Sequence, residues 1–364
     1  MKKLFISILG IVIFITACNS NSGQNVIYFT RDDFKNHIVL SNPEIITWGD
    51  TSQVTNPKSF AVLHDSILLV QNHYNMPFAI ELYSLHSGHI LAKLASIGRG
   101  PGEFLACSYS GHSVDQSKVY FKDNQIGIYY VVDFLKTLES GKIVVNYQFP
   151  YHADISSELI LLDDRYFTGY NGWYVDYKQY NNNVPKFRKY EMEPVSPPIY
   201  PDDPLMGHSY WVRNVNGARL VQNPYNKQIW LFDQRRDRIE IYDDDLHLIK
   251  TITGPDHFNI QYEVYTADGF QGIIFAQGKN FQSYLGYACN DKHIYVIYVG
   301  TDSLDYEHYP PVEVFKLDWE GNLLCNYKLD RYIDKISIDS QEEFLYGSAQ
   351  NTAMDMPQLV RYKL

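Results

Sequence analysis

One cysteine near the start of this chain, Cys18, is placed where its sulfur could be covalently modified. Cys18 follows a positively charged start and an apolar stretch that runs from Leu4 to Ala17. A charged start, an apolar run and small residues before a cleavage point are typical of a secretory signal peptide, and cleavage before Cys18 would make it the new N-terminus. The apolar stretch is shorter than the ~20 residues that a helix needs to span a bilayer. The pattern therefore predicts that residues 1–17 are removed on export, in preference to an uncleaved anchor.

The sequence Ile15-Thr16-Ala17-Cys18 resembles the lipobox of bacterial lipoproteins. That resemblance implies that Cys18 is diacylated and then N-acylated, so that residues 18–24 form a lipidated tether; a plain secreted protein is the alternative. Several acyl chains anchor a protein stably, whereas a single chain binds a membrane only reversibly. Neither an aspartate nor an acidic run follows Cys18. We therefore predict an outer-membrane lipoprotein that faces the periplasm, with the cell surface as the alternative.

The net charge of the chain is strongly negative. It is −11 for the full sequence, and it becomes −13 without the signal peptide, which contains two lysines and no acidic residue. Nucleic-acid binding requires clusters of Lys and Arg against the phosphates, so we expect no nucleic-acid partner. The same charge argues against a basic face that would hold the protein to anionic lipid, which leaves the acyl chains as the membrane contact.

A short segment recurs six times along the chain. It consists of a turn that contains Asp or Asn, followed by a short apolar strand. Several successive copies lie 48 to 50 residues apart. The six copies occupy residues 64–70, 115–121, 163–168, 225–231, 290–296 and 339–345.

Repeats of this length predict an all-β fold, a six-bladed β-propeller. Four short antiparallel strands in each repeat of ~40–50 residues are typical of a propeller blade. Too little chain follows the last copy for four strands, so we expect an N-terminal strand, Asn25–Thr30 or His37–Ser41, to join the last blade and close the ring. A β-sandwich would not explain six similar segments, and the turns of a β-helix are shorter than these intervals.

The sequence from Ile97 to Phe104 reads Ile-Gly-Arg-Gly-Pro-Gly-Glu-Phe. Together with the lipobox-like cysteine and the six repeats, it resembles the TolB-like six-bladed β-propeller lipoproteins of Gram-negative bacteria, in which such a stretch links one blade to the next. The resemblance implies that residues 25–364 form one propeller domain. Two insertions, near 170–215 and 254–282, interrupt its repeat pattern. It implies fold and location more than function, because that family has no generally established activity or ligand.

The glycine-rich loop in this stretch has two interpretations. A phosphate cradle needs backbone N–H groups at the start of a helix, but Pro101 lacks an N–H group and no helix pattern follows it. The alternative is a tight turn between blades, in which glycines supply positive φ angles and the Glu103 carboxylate accepts backbone N–H groups. We favour the turn, built from Gly98, Gly100, Pro101, Gly102, Glu103 and Phe104. Arg99 is the exception, because a guanidinium that faces the central channel could bind a carboxylate or phosphate.

A Tyr- and Trp-rich insertion is the strongest candidate for a ligand surface. Aromatic faces with amide neighbours suit sugar rings or extended peptides, because stacking supplies contact area and amides fix orientation. The alternative is that this long loop folds its rings onto the propeller as a satellite core. The candidate ligand-binding residues are Trp173, Tyr174, Tyr177, Tyr210 and Trp211.

The densest basic cluster of the chain is another candidate site. We favour a solvated turn between two strands, and the alternative places Arg235 in an anion site at the channel mouth. The cluster combines three arginines with three acids, namely Arg235, Arg236, Arg238, Asp233, Asp237 and Glu240.

The sequence contains no recognisable motif for catalysis or metal binding. Its acid pairs do not match a calcium loop, and it has no Gly-x-Ser-x-Gly nucleophile elbow. We therefore predict no cofactor, and we interpret the protein as a binding or scaffold module for a peptide, glycan or partner protein at the cell envelope rather than as an enzyme. The alternative is a metal-dependent propeller enzyme of the lactonase, hydrolase or lyase type, with a divalent metal at the channel mouth.

Overall fold

A computed structural model describes most of the chain after the predicted signal peptide and tether. Its longest helix, α1, spans Phe134–Ser140, and none of the helices among the described residues is long and apolar enough to cross a membrane. The described residues are 25–46, 57–72, 76–100, 102–151, 159–163, 166–170, 187–191, 217–258, 260–267, 270–275, 278, 280–302, 310–349 and 358–364.

The described residues are mostly β-strand, and a single 3-10 turn at Arg31–Asp33 lies between the first two strands. The strands in chain order are β1 (Asn25–Tyr28), β2 (Asn36–Leu40), β3 (Glu44–Ile46), β4 (Ser59–Leu63), β5 (Ile67–Gln71), β6 (Phe78–Ser84), β7 (Ile90–Ser96), β8 (Cys107–His112), β9 (Lys118–Asp123), β10 (Ile128–Asp133), β11 (Val145–Pro150), β12 (Leu159–Leu161), β13 (Tyr166–Tyr170), β14 (Phe187–Glu191), β15 (Ala218–Gln222), β16 (Ile229–Asp233), β17 (Arg238–Tyr242), β18 (Leu248–Thr253), β19 (Tyr262–Ala267), β20 (Phe270–Phe275), β21 (Phe281–Cys289), β22 (His293–Asp302), β23 (Glu313–Asp318), β24 (Leu323–Leu329), β25 (Ile333–Ile338), β26 (Phe344–Ala349) and β27 (Gln358–Lys363).

These strands form antiparallel sheets in chain order, as in a β-propeller. Sheet I contains β4–β7, sheet II β8–β11, sheet III β12–β14, sheet IV β15–β18, sheet V β21–β24 and sheet VI β25–β27, while β19 and β20 form a separate hairpin within the predicted 254–282 insertion. Strands β1, β2 and β3 add one outer strand each to sheets IV, V and VI.

Among the described residues, the structure shows five blades of four or five strands, so the prediction of six is wrong. Sheet III has three strands within the described residues. It contains the third repeat copy, which is followed by one of the two longest intervals between copies. Much of that interval, including most of the predicted 170–215 insertion, lies outside the described residues.

Each of the six repeat copies forms the turn that precedes the second strand of a sheet. Asp and Asn are common there because their side chains accept hydrogen bonds from the backbone of the same turn. The Asp115 carboxylate accepts from the backbone N–H of Ser117, and the Asn290 side chain accepts from the N–H groups of Lys292 and His293. The repeat in the sequence is therefore a repeat of turns.

Successive sheets pack against each other through apolar clusters and contacts between their first strands. The Val62 N–H donates to the Ser337 hydroxyl, which joins the first strands of sheets I and VI. Arg219 likewise donates to the Leu285 carbonyl and joins the first strands of sheets IV and V. Six buried clusters lie between sheets I and II, II and III, III and IV, IV and V, V and VI, and VI and I.

The N-terminal strands pair differently from the prediction. Residues 25–28 run parallel to β18 of sheet IV, and residues 36–40 run parallel to β24 of sheet V. Neither predicted closing strand joins the last sheet; instead Glu44–Ile46 pairs antiparallel with β27. We call residues 25–46 the N-terminal strap, because they follow the outer edges of three successive sheets. Phe29 and Phe34 fix the strap by packing against Phe315 of sheet V.

Candidate functional site

The glycine-rich loop connects the last strand of sheet I to the first strand of sheet II. The Gly98 N–H donates to the Phe104 carbonyl at 3.0 Å, and the Phe104 N–H donates to the Ser96 carbonyl at 2.9 Å. The Glu103 carboxylate accepts the Gly100 N–H at 2.6 Å. Phe104 is buried and meets Tyr130 of sheet II edge to face. This geometry is that of a tight turn between two sheets.

Arg99 and Gly102 are the remaining described features of this loop. Arg99 is exposed, and its binding of a carboxylate or phosphate stays a prediction. Gly102 has a φ of +80°, which favours glycine. Pro101 lies outside the described residues.

The basic cluster is an internal ion network rather than the solvated turn that we predicted. Arg236 is only 7% exposed, and its guanidinium donates to the Asp233 carboxylate at 3.1 Å. Arg238 lies 3.1 Å from the Glu240 carboxylate, which is itself buried. Carboxylates of the same sheet neutralise the Arg236 and Arg238 guanidinium groups, which therefore already have anionic partners.

Arg235 has different surroundings from its two neighbours. Its guanidinium donates to the Asn280 side chain at 2.9 Å and lies over the Phe275 ring, 5.2 Å from the ring centroid. The structure thus brings Arg235 to the end of the β19–β20 hairpin. The other predicted ligand residues, Trp173, Tyr174, Tyr177, Tyr210 and Trp211, lie outside the described residues, as does Cys18.

A pocket that the sequence did not predict lies between sheets I and VI. Its volume is about 270 Å³. We call it the I/VI pocket, and its walls come from the turns before β5 and β26, from the turn after β6, and from β26 and β27. The lining residues are Asp65, Ser66, Leu85, His86, Asp339, Gln341, Glu343, Phe344, Tyr346 and Arg361.

Two aspartates, one from the first repeat copy and one from the last, shape this pocket. Asp65 of the first copy accepts the Ser340 N–H of the last copy at 2.7 Å. Asp339 accepts the N–H groups of Glu343 and Phe344, both at 2.8 Å. The first aspartate therefore ties sheet I to sheet VI, and the second holds the turn of sheet VI.

An arginine and an aromatic ring form the opposite wall. The Arg361 guanidinium lies 4.7 Å from the centroid of the Phe344 ring and donates to the Glu44 carboxylate of the strap at 2.9 Å. Cation–π contact and ion pairing hold the Arg361 side chain in place. Since Glu44 neutralises Arg361, the wall adds little net positive charge to the pocket.

The electrostatics of the I/VI pocket favour a positively charged guest. Three carboxylates line it, those of Asp65, Asp339 and Glu343. Burial raises the pKa of Asp339, and the neighbouring charges of Asp65 and Glu343 raise it further. A cation in the pocket would relieve this repulsion, and the buried Tyr346 ring would supply apolar contact. The pocket thus suits an ammonium or guanidinium group.

A second acidic cluster joins the strap to sheets IV and V. Arg31 donates to Glu313 at 2.7 Å and to Asp256, and the Tyr298 hydroxyl donates to Asp256 at 2.8 Å. Behind them Asp237 accepts the N–H groups of Asp256 and His257, both at 2.6 Å. Burial raises the pKa of Asp237 to about 7, although both hydrogen bonds oppose that shift.

Within the described ranges, no group of three or more His, Cys, Asp or Glu side chains is arranged to hold a metal ion.

Comparison with known proteins gives the fold alone. No family model and no curated protein matches the sequence. A member of the DUF4221 family from Bacteroides vulgatus is 12% identical, with a TM-score of 0.56 over 90% of this chain and 97% of that one. A candidate exported protein from Bacteroides fragilis is 10% identical, with a TM-score of 0.51 over 93% of this chain and 99% of that one. Neither is described as TolB-like, so that resemblance stays a prediction.

Sequence reasoning missed the I/VI pocket although it had marked the turns that form it. Asp65 lies in the turn of the first copy and Asp339 in the turn of the last. The presence of an aspartate in both turns was the available signal. It becomes a site only when the first and last copies meet in space.

Proposed function

We propose that this protein is a lipid-anchored propeller of the cell envelope that binds a cationic group of a peptide or partner protein. The observation that carries the proposal is the I/VI pocket, where three carboxylates and the Tyr346 ring surround an open space of about 270 Å³. A Lys or Arg side chain would gain both ion pairing and aromatic contact there. A neutral glycan, the third partner class expected from the sequence, would gain only hydrogen bonds.

The location in this proposal rests on the N-terminus. Cys18 would carry the acyl chains, residues 18–24 would be the tether, and the propeller would face the periplasm from the outer membrane. The fold shared with a candidate exported protein of Bacteroides fragilis agrees with export. The aromatic residues of the predicted insertion, Trp173 and Trp211 among them, are proposed as a further contact for the same partner.

In-cell cross-linking of the native protein, followed by purification and mass spectrometry, tests the binding function. We expect one partner in near-stoichiometric amount, cross-linked through a segment that contains Lys or Arg. Glu343→Gln should reduce its recovery, because it removes one charge from the pocket. Glu139→Gln is the matched control, since Glu139 is an exposed carboxylate on α1. Equal recovery by both variants would show that the I/VI pocket is not the binding site.

Lipidation is tested separately. The mass of the mature N-terminal peptide should include the acyl chains on Cys18, and Cys18→Ser should release the protein from the membrane fraction. An unmodified Cys18 in a membrane-free protein would contradict the anchor and leave the pocket prediction intact.

A further inference from the structure

The N-terminal strap presents apolar side chains to the outside of the molecule. Tyr28 is 70% exposed on β1, Val39 is 73% exposed on β2 and Ile45 is 53% exposed on β3. Phe29 and Phe34, by contrast, are buried in the cluster between sheets IV and V. The strap thus has an inner face that holds it to the propeller and an outer apolar face.

This outer face follows one side of the propeller. Strands β1 and β2 form the free edges of sheets IV and V. Exposed apolar edge strands invite association, and proteins usually cover them or place charges on them. Val26, Ile27 and Ile38 extend the apolar surface along the same two strands. Exposed charged residues such as Asp32 and Lys35 lie between the two strands, so the apolar rim consists of two patches, one on each strand. Exposed apolar patches of this kind mark a contact surface.

The covalent chain limits how far this rim can lie from the lipid anchor. Cys18 precedes Asn25 by seven positions. An extended chain spans at most ~3.3–3.6 Å per residue, so the start of β1 lies within ~25 Å of the acylated cysteine. The short tether therefore keeps sheets IV and V, which contain β1 and β2, close to the bilayer. Sheet II contains no strand of the strap and has no such constraint.

We propose that the outer face of the strap, centred on Tyr28 and Val39, rests on the interfacial region of the membrane that holds the Cys18 lipid. The inference rests on the lipid anchor of the proposed function. It adds the orientation, in which sheets IV and V lie against the bilayer.

The contact is apolar rather than electrostatic. Without the signal peptide the chain has a net charge of −13. The strap arginine Arg31 is already bound to Asp256 and Glu313. Tyr is favoured at membrane interfaces because its ring is apolar and its hydroxyl is polar. The contact should therefore form on uncharged phosphatidylcholine and persist at high salt.

Spin labels on the native, acylated protein test this orientation. One variant carries the label at Val39→Cys and the matched control carries it at Val145→Cys, an exposed valine on the outer strand β11 of sheet II. The protein is placed in phosphatidylcholine vesicles, and label collisions with oxygen and with a polar nickel complex are measured. The unsubstituted chain, whose Cys107, Cys289 and Cys325 are free thiols, gives the background labelling.

We expect the label at position 39 to collide more often with oxygen and less often with the nickel complex than the label at position 145. Equal behaviour of the two labels in a protein whose mass shows the acyl chains would overturn the orientation and leave the anchor standing. A second result would also overturn it. If the label at position 39 becomes immobilised as the protein concentration rises, without more frequent collisions with oxygen, the rim pairs with a second copy of the protein. A protein without acyl chains that stays off the vesicles would instead contradict the anchor itself.

Discussion

Asp65 and Ser340 are 275 positions apart in the chain, yet the Asp65 carboxylate accepts both the backbone N–H and the hydroxyl of Ser340. Both residues lie in turns that precede the second strand of a sheet. The contact joins the first repeat copy to the last, and it forms one side of the I/VI pocket. The turn of the first copy thus also serves as a long-range tie between sheets I and VI.

Asp65→Ala should lower the free energy of unfolding by about 1 kcal/mol, the usual net value of an intramolecular hydrogen bond between partly exposed groups. Denaturant unfolding should show a lower midpoint with an unchanged slope. Asp291→Ala is the control, because Asp291 is an exposed residue of the equivalent turn in the fifth copy. Equal midpoints for the two variants would mean that the tie to Ser340 contributes nothing.

The Asp237 carboxyl predicts a pH dependence of stability. Burial raises its pKa from 3.8 to about 7, so the folded state binds this proton more tightly than the unfolded state. Its stabilising contribution is complete below pH ~4 and is lost as the pH rises to about 7. Asp237→Asn keeps an acceptor for the N–H groups of Asp256 and His257 and cannot titrate. Between pH 4 and 7, the stability of the wild type should therefore fall relative to this variant.

Thermal unfolding of both proteins across that pH range measures the difference. Parallel curves would show that Asp237 titrates near its ordinary pKa in the folded protein.

The sequence was sufficient to predict the turns of this fold and insufficient to predict which strands meet. Asp and Asn at a strand start identify a turn, because the side chain satisfies backbone groups a few residues away. Glu103 was predicted in the same way, and it does accept the Gly100 N–H. These are local interactions, which the neighbouring residues determine.

Strand partners are set by contacts between distant parts of the chain. Residues 36–40 have the pattern of a strand, but nothing in that pattern shows whether they join β27 or run parallel to β24. The burial of Arg236 was missed for the same reason, since it depends on the place of the whole turn in sheet IV. The I/VI pocket needs the first and last copies to meet.

Glu342 joins sheets V and VI and predicts a second, opposite pH dependence. Burial alone would raise its pKa, but hydrogen bonds from Lys316, His293 and Asn290 outweigh that effect and lower the pKa to about 2. A lowered pKa adds stability above pH ~4.5, and this is lost as the pH falls towards 2. Glu342→Gln should therefore cost about 1–3 kcal/mol at pH 7 and progressively less in acid. A cost that is independent of pH would indicate that packing, rather than charge, is what the substitution disturbs.

Gly98 and Glu103 predict a coupled pair of substitutions in the glycine-rich turn. A Cβ atom at position 98 would overlap the Glu103 carboxylate, so Gly98→Ala must displace that side chain and break its hydrogen bond to the Gly100 N–H. We expect a loss of about 1–2 kcal/mol, typical of overpacking or a lost hydrogen bond. Glu103→Ala loses the same hydrogen bond without the overlap.

The double variant should then be little less stable than Glu103→Ala alone, because the carboxylate that collides with the new methyl group has gone. Denaturant unfolding of the four proteins in this cycle gives the coupling energy. If the two losses simply add, the effect at position 98 arises from the backbone and not from Glu103. A strong coupling would show that the glycine is required at position 98 by the side chain that closes the turn between sheets I and II.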